Sequence, residues 1–426
     1  MSASSVPSSV APSSGPVRNW AGNLTYASPR IHRPASLDRL RALVRDSPRI
    51  RALGSGHSFN GVADSTHDLV RLDALPQEIE VDPSASTVTV SAGTRYAELA
   101  AELHRRGFAL GNLASLPHIS VAGSCATGTH GSGDAQPCLA AAVRGIERVG
   151  PDGEAAWLRR GDEVFPGAVV ALGALGVVTR LTLEIEPAFQ VSQRVRLDVP
   201  LDEVADRFDA VFGSAYSVSL FTDWEADTGR VWLKHREGDP EGDWAGGHAA
   251  TGPEHPVPGA PTDPATEQLG LAGPWFERLP HFRPEFQPSA GQELQSELYL
   301  PRAAVPEAFA ALRGIGSLIA PVLHVSEVRT VRADDMWLSP SYGRDSVTFH
   351  FTWLPDPEAV APVLAAVEER LAPLGARPHW GKLSTLPPEE VMASYPRAAD
   401  FAGLLERIDP EGKFRNPFVD ALFPRT

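Results

Sequence analysis

Three segments in the second half of the chain carry ionisable side chains at alternate positions. In Leu323-His324-Val325-Ser326-Glu327-Val328-Arg329-Thr330-Val331, Glu327 and Arg329 fall on one face, because successive side chains of a strand point to opposite sides. In Val347-Thr348-Phe349-His350-Phe351-Thr352-Trp353, the polar Thr348, His350 and Thr352 share a face, and the four apolar residues take the other. In Glu293-Leu294-Gln295-Ser296-Glu297-Leu298, Gln295 lies with Glu293 and Glu297. A single sheet with an apolar back and a polar, ionisable front would explain all three. Such a front suits a ligand with several hydroxyl groups, because sites that bond hydroxyls reject analogues lacking them. Histidine supplies a base that titrates near neutrality, and arginine can meet developing negative charge. A polar face that simply meets water fits the same periodicity.

Nearer the N-terminus, Leu53-Gly54-Ser55-Gly56-His57-Ser58-Phe59-Asn60 sets a lone histidine among glycines and small polar residues, directly after the apolar run 50–53. Glycine permits positive φ and close backbone approach. A Gly-X-Gly turn leaving a strand can therefore hold a phosphorylated ligand against backbone N–H groups. His57, at the tip, is presented to that ligand rather than to the core. A second segment, Ser115-Leu116-Pro117-His118-Ile119-Ser120-Val121-Ala122-Gly123-Ser124-Cys125-Ala126-Thr127-Gly128-Thr129-His130-Gly131-Ser132-Gly133, suits a backbone wrapped around a pyrophosphate. It lacks the Gly-Lys-Ser/Thr ending of a P-loop. Nor does a GxGxxG join a strand to a helix with an acid following, as a dinucleotide fingerprint requires. Turn-rich surface loops are the other reading of this composition.

Holding these groups needs both helices and strands. Ser36 and residues 37–44 read as a capped amphipathic helix with Leu37, Leu40 and Val44 on one face. Strands are expected at 50–53, 69–72 and 87–90. A second helix is expected over 96–106, with Tyr96, Leu99 and Leu103 on one stripe and Gly107 as its C′ residue. Short strands and glycine-rich loops then alternate as far as Glu186, so this half is α+β or α/β rather than a bundle. Pro187 and Pro200 bracket a change to strictly alternating strands at 217–221 and 230–234. The Gly/Pro-rich stretch 237–265 is expected to be a long surface excursion at the mouth of a site.

At 426 residues the chain has room for two or three domains of about 150 residues each. A net charge of −15 and a pI near 5.3 argue against nucleic acid and anionic membrane as partners and favour a small molecule. Cys125 and Cys138 are the two cysteines and show no metal-ligand spacing, so neither a metal nor a disulfide framework is expected. The first sixteen residues lack the basic and continuous apolar regions of a signal peptide and read as a disordered tail. The longest apolar run, 165–179, contains three glycines and falls short of the ~20 residues that span a bilayer. A cytoplasmic location is expected.

The pair RALGSGHSFN (51–60) and ASLPHISVAGSCATGTHGSG (114–133) resembles the FAD-binding domain of the vanillyl-alcohol-oxidase-like flavoproteins. Gly173-Ala174-Leu175-Gly176-Val177-Val178-Thr179 resembles the GxLGVVT strand that closes that domain. More narrowly, the chain from Arg18 to Phe423 is similar to the bacterial alditol oxidases. The similarity is carried by NWAGNLTY, AYSVSLFTDW, PWFERLPHFRPEF, LSPSYGRD, HFTW, RPHWGK and DPEGKFRNPFV. It implies an α+β flavoprotein of two domains. A disordered tail would cover 1–17, and an FAD-binding domain 18–189, completed by 383–426. An antiparallel-sheet substrate (cap) domain would be inserted over 190–382.

The resemblance implies FAD held by Gly54, Ser55, Gly56, His57, Ser58, Ser115, Ser120, Gly123, Thr127, Gly128, Thr129, His130, Gly131, Gly176 and Val178. The flavin would be linked covalently to His57 through its 8α-methyl group. Some relatives add a cysteinyl link, but no cysteine stands near Ser115, so a single link is implied. Substrate would be met by Ser115, Gln295, Glu327, Arg329, His350, Thr352 and Lys382. The implied reaction oxidises the C1 alcohol of alditols such as xylitol and sorbitol to the aldose. Hydride passes to flavin N5, O₂ becomes H₂O₂, and Ala114 is small enough to leave room for oxygen. His350 or Lys382 would take the hydroxyl proton. Arg329 would stabilise negative charge, and Glu327 would grip the next hydroxyl and fix Arg329. A monomer is expected. The alternatives are an aldonolactone oxidase or dehydrogenase using another electron acceptor, and a flavin- or carbohydrate-binding protein without turnover. The ionisable set from Glu327 to Lys382 speaks against the last.

Overall fold

The computed structural model describes residues 16–240, 242–286 and 292–425, so nearly all of the expected N-terminal tail lies outside the described residues. The architecture is α+β, with helices packed on antiparallel sheets. Ser36 accepts a hydrogen bond from Arg39 N and caps the helix Leu37–Asp46, which buries Leu40 and Val44; Leu37, in the first turn, stays exposed. The helix Tyr96–Arg105 buries Tyr96, Leu99 and Leu103, and Gly107 follows it at φ +83.

Among the described residues, the N-terminal half builds three small sheets, one of them the short pair Phe108–Ala109 with Glu186–Pro187. Strands Arg30–His32, Asp68–Val70 and Ile50–Ala52 pair in parallel, and the last of them runs straight into the His57 loop. Ile79–Asp82, Thr87–Ser91, Val177–Glu184, Val143–Val149 and Ala155–Arg159 form an antiparallel sheet in that order. The C-terminal segment returns to this half: Ile50 N donates to Lys413 O at 2.9 Å, and Lys413 Nζ donates to Val44 O at 2.8 Å. The core here also takes in Trp275, Leu279, Met336, Trp337 and Leu338, which the sequence places within the expected cap segment.

Nine strands make the large antiparallel sheet. Its main path runs His248–Ala249, Gln190–Pro200, Thr228–Arg236, Ser217–Thr222, Leu323–Val331, Ser346–Trp353, Leu294–Pro301, Arg377–Pro378. Gly273–Pro274 adds to the Gln190–Pro200 strand. The alternation read from sequence sorts its faces. Leu298, Leu300, Val328, Val347, Phe349, Phe351 and Trp353 pack at the back against the helices Val305–Arg313 and Pro357–Leu371. Each such side chain, fully buried, contributes about 1.5–3 kcal/mol.

Register decides what the front presents. Glu297 lies opposite His350, and His350 opposite Glu327, so three adjacent strands form one cross-strand row of carboxylate, imidazole and carboxylate. Gln295 pairs with Thr352 in the next row, and Arg329 with Thr348 on the other side. Cross-strand partners hold their Cβ atoms about 4.5–5.5 Å apart, within reach of one shared ligand.

Candidate active site

A cavity of about 300 Å³ lies between the polar front of the large sheet and the two glycine-rich loops. The loops are tied to the sheet side directly. Phe59 N donates to Gly381 O at 2.8 Å, and the Asn60 amide donates to Trp380 O and Lys382 O at 3.0 and 2.8 Å. The His57 loop and the Lys382 turn are therefore pinned to each other.

On the loop side, Gly54, Ser55, Gly56, His57, Ser58, Ser115, Ser120, Gly123, Thr127, Thr129, His130, Gly176 and Val178 line the cavity. The space is shaped for backbone. A Cβ at Gly54 would come within 2.6 Å of Ser120 Oγ, and one at Gly123 within 2.8 Å. Ser120 Oγ is buried without a hydrogen-bond partner, an unusual state for a hydroxyl unless a ligand completes it. Small hydroxyls and an orphan Ser120 Oγ on a glycine-rich backbone suit the phosphates of a flavin nucleotide. These residues fit FAD.

Gly128 and Gly131, grouped with the cofactor residues by sequence, sit off the cavity wall. Gly128 offers its carbonyl to the Tyr299 hydroxyl at 3.3 Å. Gly131 is demanded by packing, since a Cβ there would meet Asn112 Oδ1 at 2.3 Å and Leu113 O at 2.4 Å. Gly131→Ala forces these atoms apart and is expected to cost about 1–3 kcal/mol in urea unfolding, the usual penalty of overpacking. An unchanged midpoint would show that the backbone yields freely.

His57 is wedged between Trp20, with ring centroids 4.4 Å apart, and Phe59, edge-on at 6.0 Å. Burial, and next the nearby Lys382 ammonium, pull its pKa down to about 3. Burial thus favours the neutral ring.

On the sheet side, Ser115, Gln295, Glu327, Arg329, His350, Thr352 and Lys382, drawn from five separate stretches of sequence, all reach the cavity wall. The centre of their network is a residue to which sequence assigned no role, Glu297, whose side chain has no solvent exposure. Its Oε1 accepts from Arg329 Nη2 at 2.8 Å and lies 3.0 Å from His130 Nε2; its Oε2 accepts from Lys382 Nζ at 2.7 Å. Burial alone would raise the Glu297 pKa, but Lys382, His130 and Arg329 hold it well below the carboxylate range. His130 Nδ1 faces Gly131 O at 2.6 Å, so both ring nitrogens meet acceptors. A proton must therefore lie between His130 Nε2 and Glu297 Oε1.

Two carboxylates hold Arg329, Glu327 of the sequence expectation and Glu297. Glu327 Oε2 stands 3.5 Å from Arg329 Nε, which makes no hydrogen bond, and the close partner is Glu297. Arg329 Nη1 reaches Ser115 Oγ at 3.4 Å. Lys382 Nζ also lies 2.7 Å from His350 Nδ1, and His350 Nε2 lies 3.1 Å from Thr352 Oγ1. With the ammonium at Nδ1, the His350 proton sits on Nε2 and is donated to Thr352. Burial, then Lys382, pushes the His350 pKa well down, and burial lowers Lys382 against the pull of Glu297.

Sequence reasoning also passed over His379 and His281. His379 Nδ1 accepts from Gly381 N at 3.0 Å and shapes the turn that projects Lys382. His281 bonds Glu327 at 2.9 Å. Neither lies in an alternating strand, so periodicity carried no signal for them. Most of the 237–265 stretch is exposed or half-buried where described, and its His255, Pro256 and Val257 line the cavity, held by Arg230, which donates to His255 O at 3.0 Å. Cys125 and Cys138 are buried free thiols. Among the described residues, no group of three or more His, Cys, Asp or Glu side chains is placed to hold a metal, and no single helix is long and apolar enough to cross a membrane.

Comparison with known proteins agrees with this geometry. An FAD binding domain family matches residues 29–159, and a D-arabinono-1,4-lactone oxidase family matches residues 292–422. The chain is 52% identical over 407 residues to an alditol oxidase from Streptomyces sp. (strain IKD472 / FERM P-14339), across 95% of this chain and 98% of that one. It is 27% identical to an L-gulono-1,4-lactone dehydrogenase from Mycobacterium tuberculosis (strain ATCC 25618 / H37Rv), across 94% and 97% of the two chains. The crystal structure of cholesterol oxidase from B. sterolicum aligns with a TM-score of 0.75 at 14% identity, over 99% of this chain and 100% of that chain, a likeness of fold alone.

Proposed function

Because the chain belongs to the alditol oxidase family of the vanillyl-alcohol-oxidase-like FAD-dependent oxidoreductases, we propose that it oxidises the C1 alcohol of xylitol- or sorbitol-like alditols to the aldose. The observation that supports this reading is the Glu297–His350–Glu327 row, flanked by Arg329 and Lys382 and set across one cavity from the glycine cradle. FAD, held by the 54–58 loop and by Ser115, Ser120, Gly123, Thr127 and Thr129, would supply the acceptor for the C1 hydride and the route of its electrons to O₂, giving H₂O₂.

The protein's own groups have separable roles. Lys382, backed by His350, accepts the C1 hydroxyl proton. Arg329 steadies the negative charge that grows on that oxygen, in a dry site where such charges interact strongly. Glu327, Gln295, Thr352 and Ser115 meet the remaining hydroxyls. His57 carries the flavin covalently, as its neutral ring in the cradle allows.

A second reading is favoured by the lactone-oxidase family match over residues 292–422: an aldonolactone as substrate, with another electron acceptor. Lactone oxidation needs a base as well but offers fewer free hydroxyls to Gln295 and Glu327. Turnover of xylitol, sorbitol and an aldonolactone, each with O₂ and with an artificial acceptor, decides between them. H₂O₂ release with an alditol is expected; turnover confined to the lactone would reverse the assignment.

The covalent link has its own test. Acid-denatured protein is expected to stay yellow, with the colour on the peptide containing His57, and His57→Ala is expected to give a colourless pellet. Free flavin from the unaltered protein would exclude the bond.

A further inference from the structure

Lys234 lies on the Thr228–Arg236 strand, buried to 1% exposure and off the cavity wall. Its cross-strand neighbours, Gln193 and Ser217, are uncharged. Its ammonium meets three acceptors: the carbonyl of Leu279, the carbonyl of Pro280 at 3.3 Å, and Nδ1 of His281 at 3.4 Å. In its ammonium form, which burial against the pull of Glu327 confines to below about pH 7, Lys234 has three N–H groups and no lone pair, so these three satisfy it. Two of them belong to the short stretch that carries His281 to the cavity. This stretch is the middle of the PWFERLPHFRPEF segment, to which the reaction assigns nothing.

On the far side of the ring, His281 Nε2 lies 2.9 Å from Glu327 Oε1, with Ser219 Oγ at 3.4 Å. Burial pulls the His281 pKa down to about 4, so the ring is neutral and carries one proton. Which nitrogen holds that proton is set by what faces the other. An ammonium at Nδ1 forces the proton onto Nε2, aimed at the carboxylate. Without the ammonium, the proton can move to Nδ1, and the Nε2 lone pair then confronts Glu327.

We propose that Lys234 is a tautomer lock: it holds the His281 proton on Nε2 and thereby fixes the aim of Glu327, so that it tightens polyol binding without touching the polyol. The lock deepens the proposed function and rests on it for Glu327's grip on a substrate hydroxyl. Lys234 and His281 are positioning residues, acting through the carboxylate.

Two measurements on the holoenzyme test this. Steady-state kinetics with xylitol compare Lys234→Met, Glu327→Gln and the double variant. Lys234→Met is expected to raise KM by about 10–50-fold with kcat within about threefold, because a mis-aimed group loses uniform binding first. In the Glu327→Gln background the same change is expected to move KM by less than about twofold, since residues acting in one chain are not additive. Equal factors in both backgrounds would overturn the lock. The second measurement is ¹⁵N-histidine NMR, with the His281 signal assigned from its loss in His281→Gln. It should show the Nε2–H tautomer in the unaltered protein and a shift toward Nδ1–H in Lys234→Met. An unchanged tautomer overturns the lock whatever the kinetics. An unchanged KM in Glu327→Gln instead removes the grip assigned to Glu327, while the tautomer result still judges Lys234. If Lys234→Met loses its flavin or fails to fold, the tautomer of the unaltered protein judges the lock: Nε2–H is expected, and Nδ1–H overturns it.

Discussion

Glu297→Gln is expected to lower kcat for alditol oxidation by about 10²–10³-fold, the usual scale for losing one preorganised electrostatic contact. The amide keeps the shape but offers one acceptor oxygen where two served Arg329, Lys382 and the His130 proton. Its NH₂ must then face a cation or an N–H. Lys382 loses its counter-charge and Arg329 the nearer of its two, and breaking a buried ion network in this way costs about 3–5 kcal/mol of stability. The sign of the pH effect follows from the same contacts. Glu297 is the group that favours the Lys382 ammonium against burial. Without it the ammonium loses its proton more readily, so the rising limb of kcat against pH is expected to move to lower pH. Wild-type kcat with an unmoved limb would reduce Glu297 to a packing residue.

The position of Glu297 explains how far sequence could reach. Alternation placed Gln295 and Glu297 on one polar face, and the structure puts both on the front of the sheet. Strand register is not written in a single strand. Only when Leu294–Pro301 pairs with Ser346–Trp353, and that with Leu323–Val331, do Glu297, His350 and Glu327 fall in one row. Two of Glu297's partners come from outside those strands: His130 from the second glycine-rich loop and Lys382 from the turn after Arg377–Pro378. A loop histidine reads as a cofactor residue and a lone lysine as a surface charge until tertiary contacts bring them together. Lys234 was the end of an alternating strand and nothing more, because a buried ammonium satisfied by carbonyls leaves no local pattern. The glycine positions were legible for the opposite reason. The clustering of glycines and small hydroxyls around Gly54 and Gly123 is local and stands directly in the composition. Gly131 shows the limit of that signal, since glycine for close packing and glycine for a ligand look alike.

Lys382→Met and His350→Ala are expected to differ in size and in the direction of their pH effects. His350 has both nitrogens engaged, Nδ1 by Lys382 at 2.7 Å and Nε2 by Thr352 at 3.1 Å. As the neutral amine Lys382 has two N–H groups, which Glu297 and His350 take, so its lone pair is free to accept from a hydroxyl in the cavity. Lys382 is therefore the group at the substrate, and His350 stands behind it. Losing a positioned base costs about 10²–10⁴-fold, so anaerobic flavin reduction in Lys382→Met should fall toward the upper end of that range and His350→Ala toward the lower. The two groups titrate as a pair, and the pair is active once it has lost its proton, so the rate rises with pH. In Lys382→Met the remaining imidazole has a pKa held low by burial, so the rising limb should vanish from the neutral range. In His350→Ala the lysine keeps Glu297 and gains water in the space left by the ring. Its pKa climbs back toward the ordinary lysine value, and the limb should move to higher pH with part of the rate recovered there. Shifts in the same direction would mean that a third group takes the proton, and wild-type reduction rates in both variants would remove the pair from the reaction.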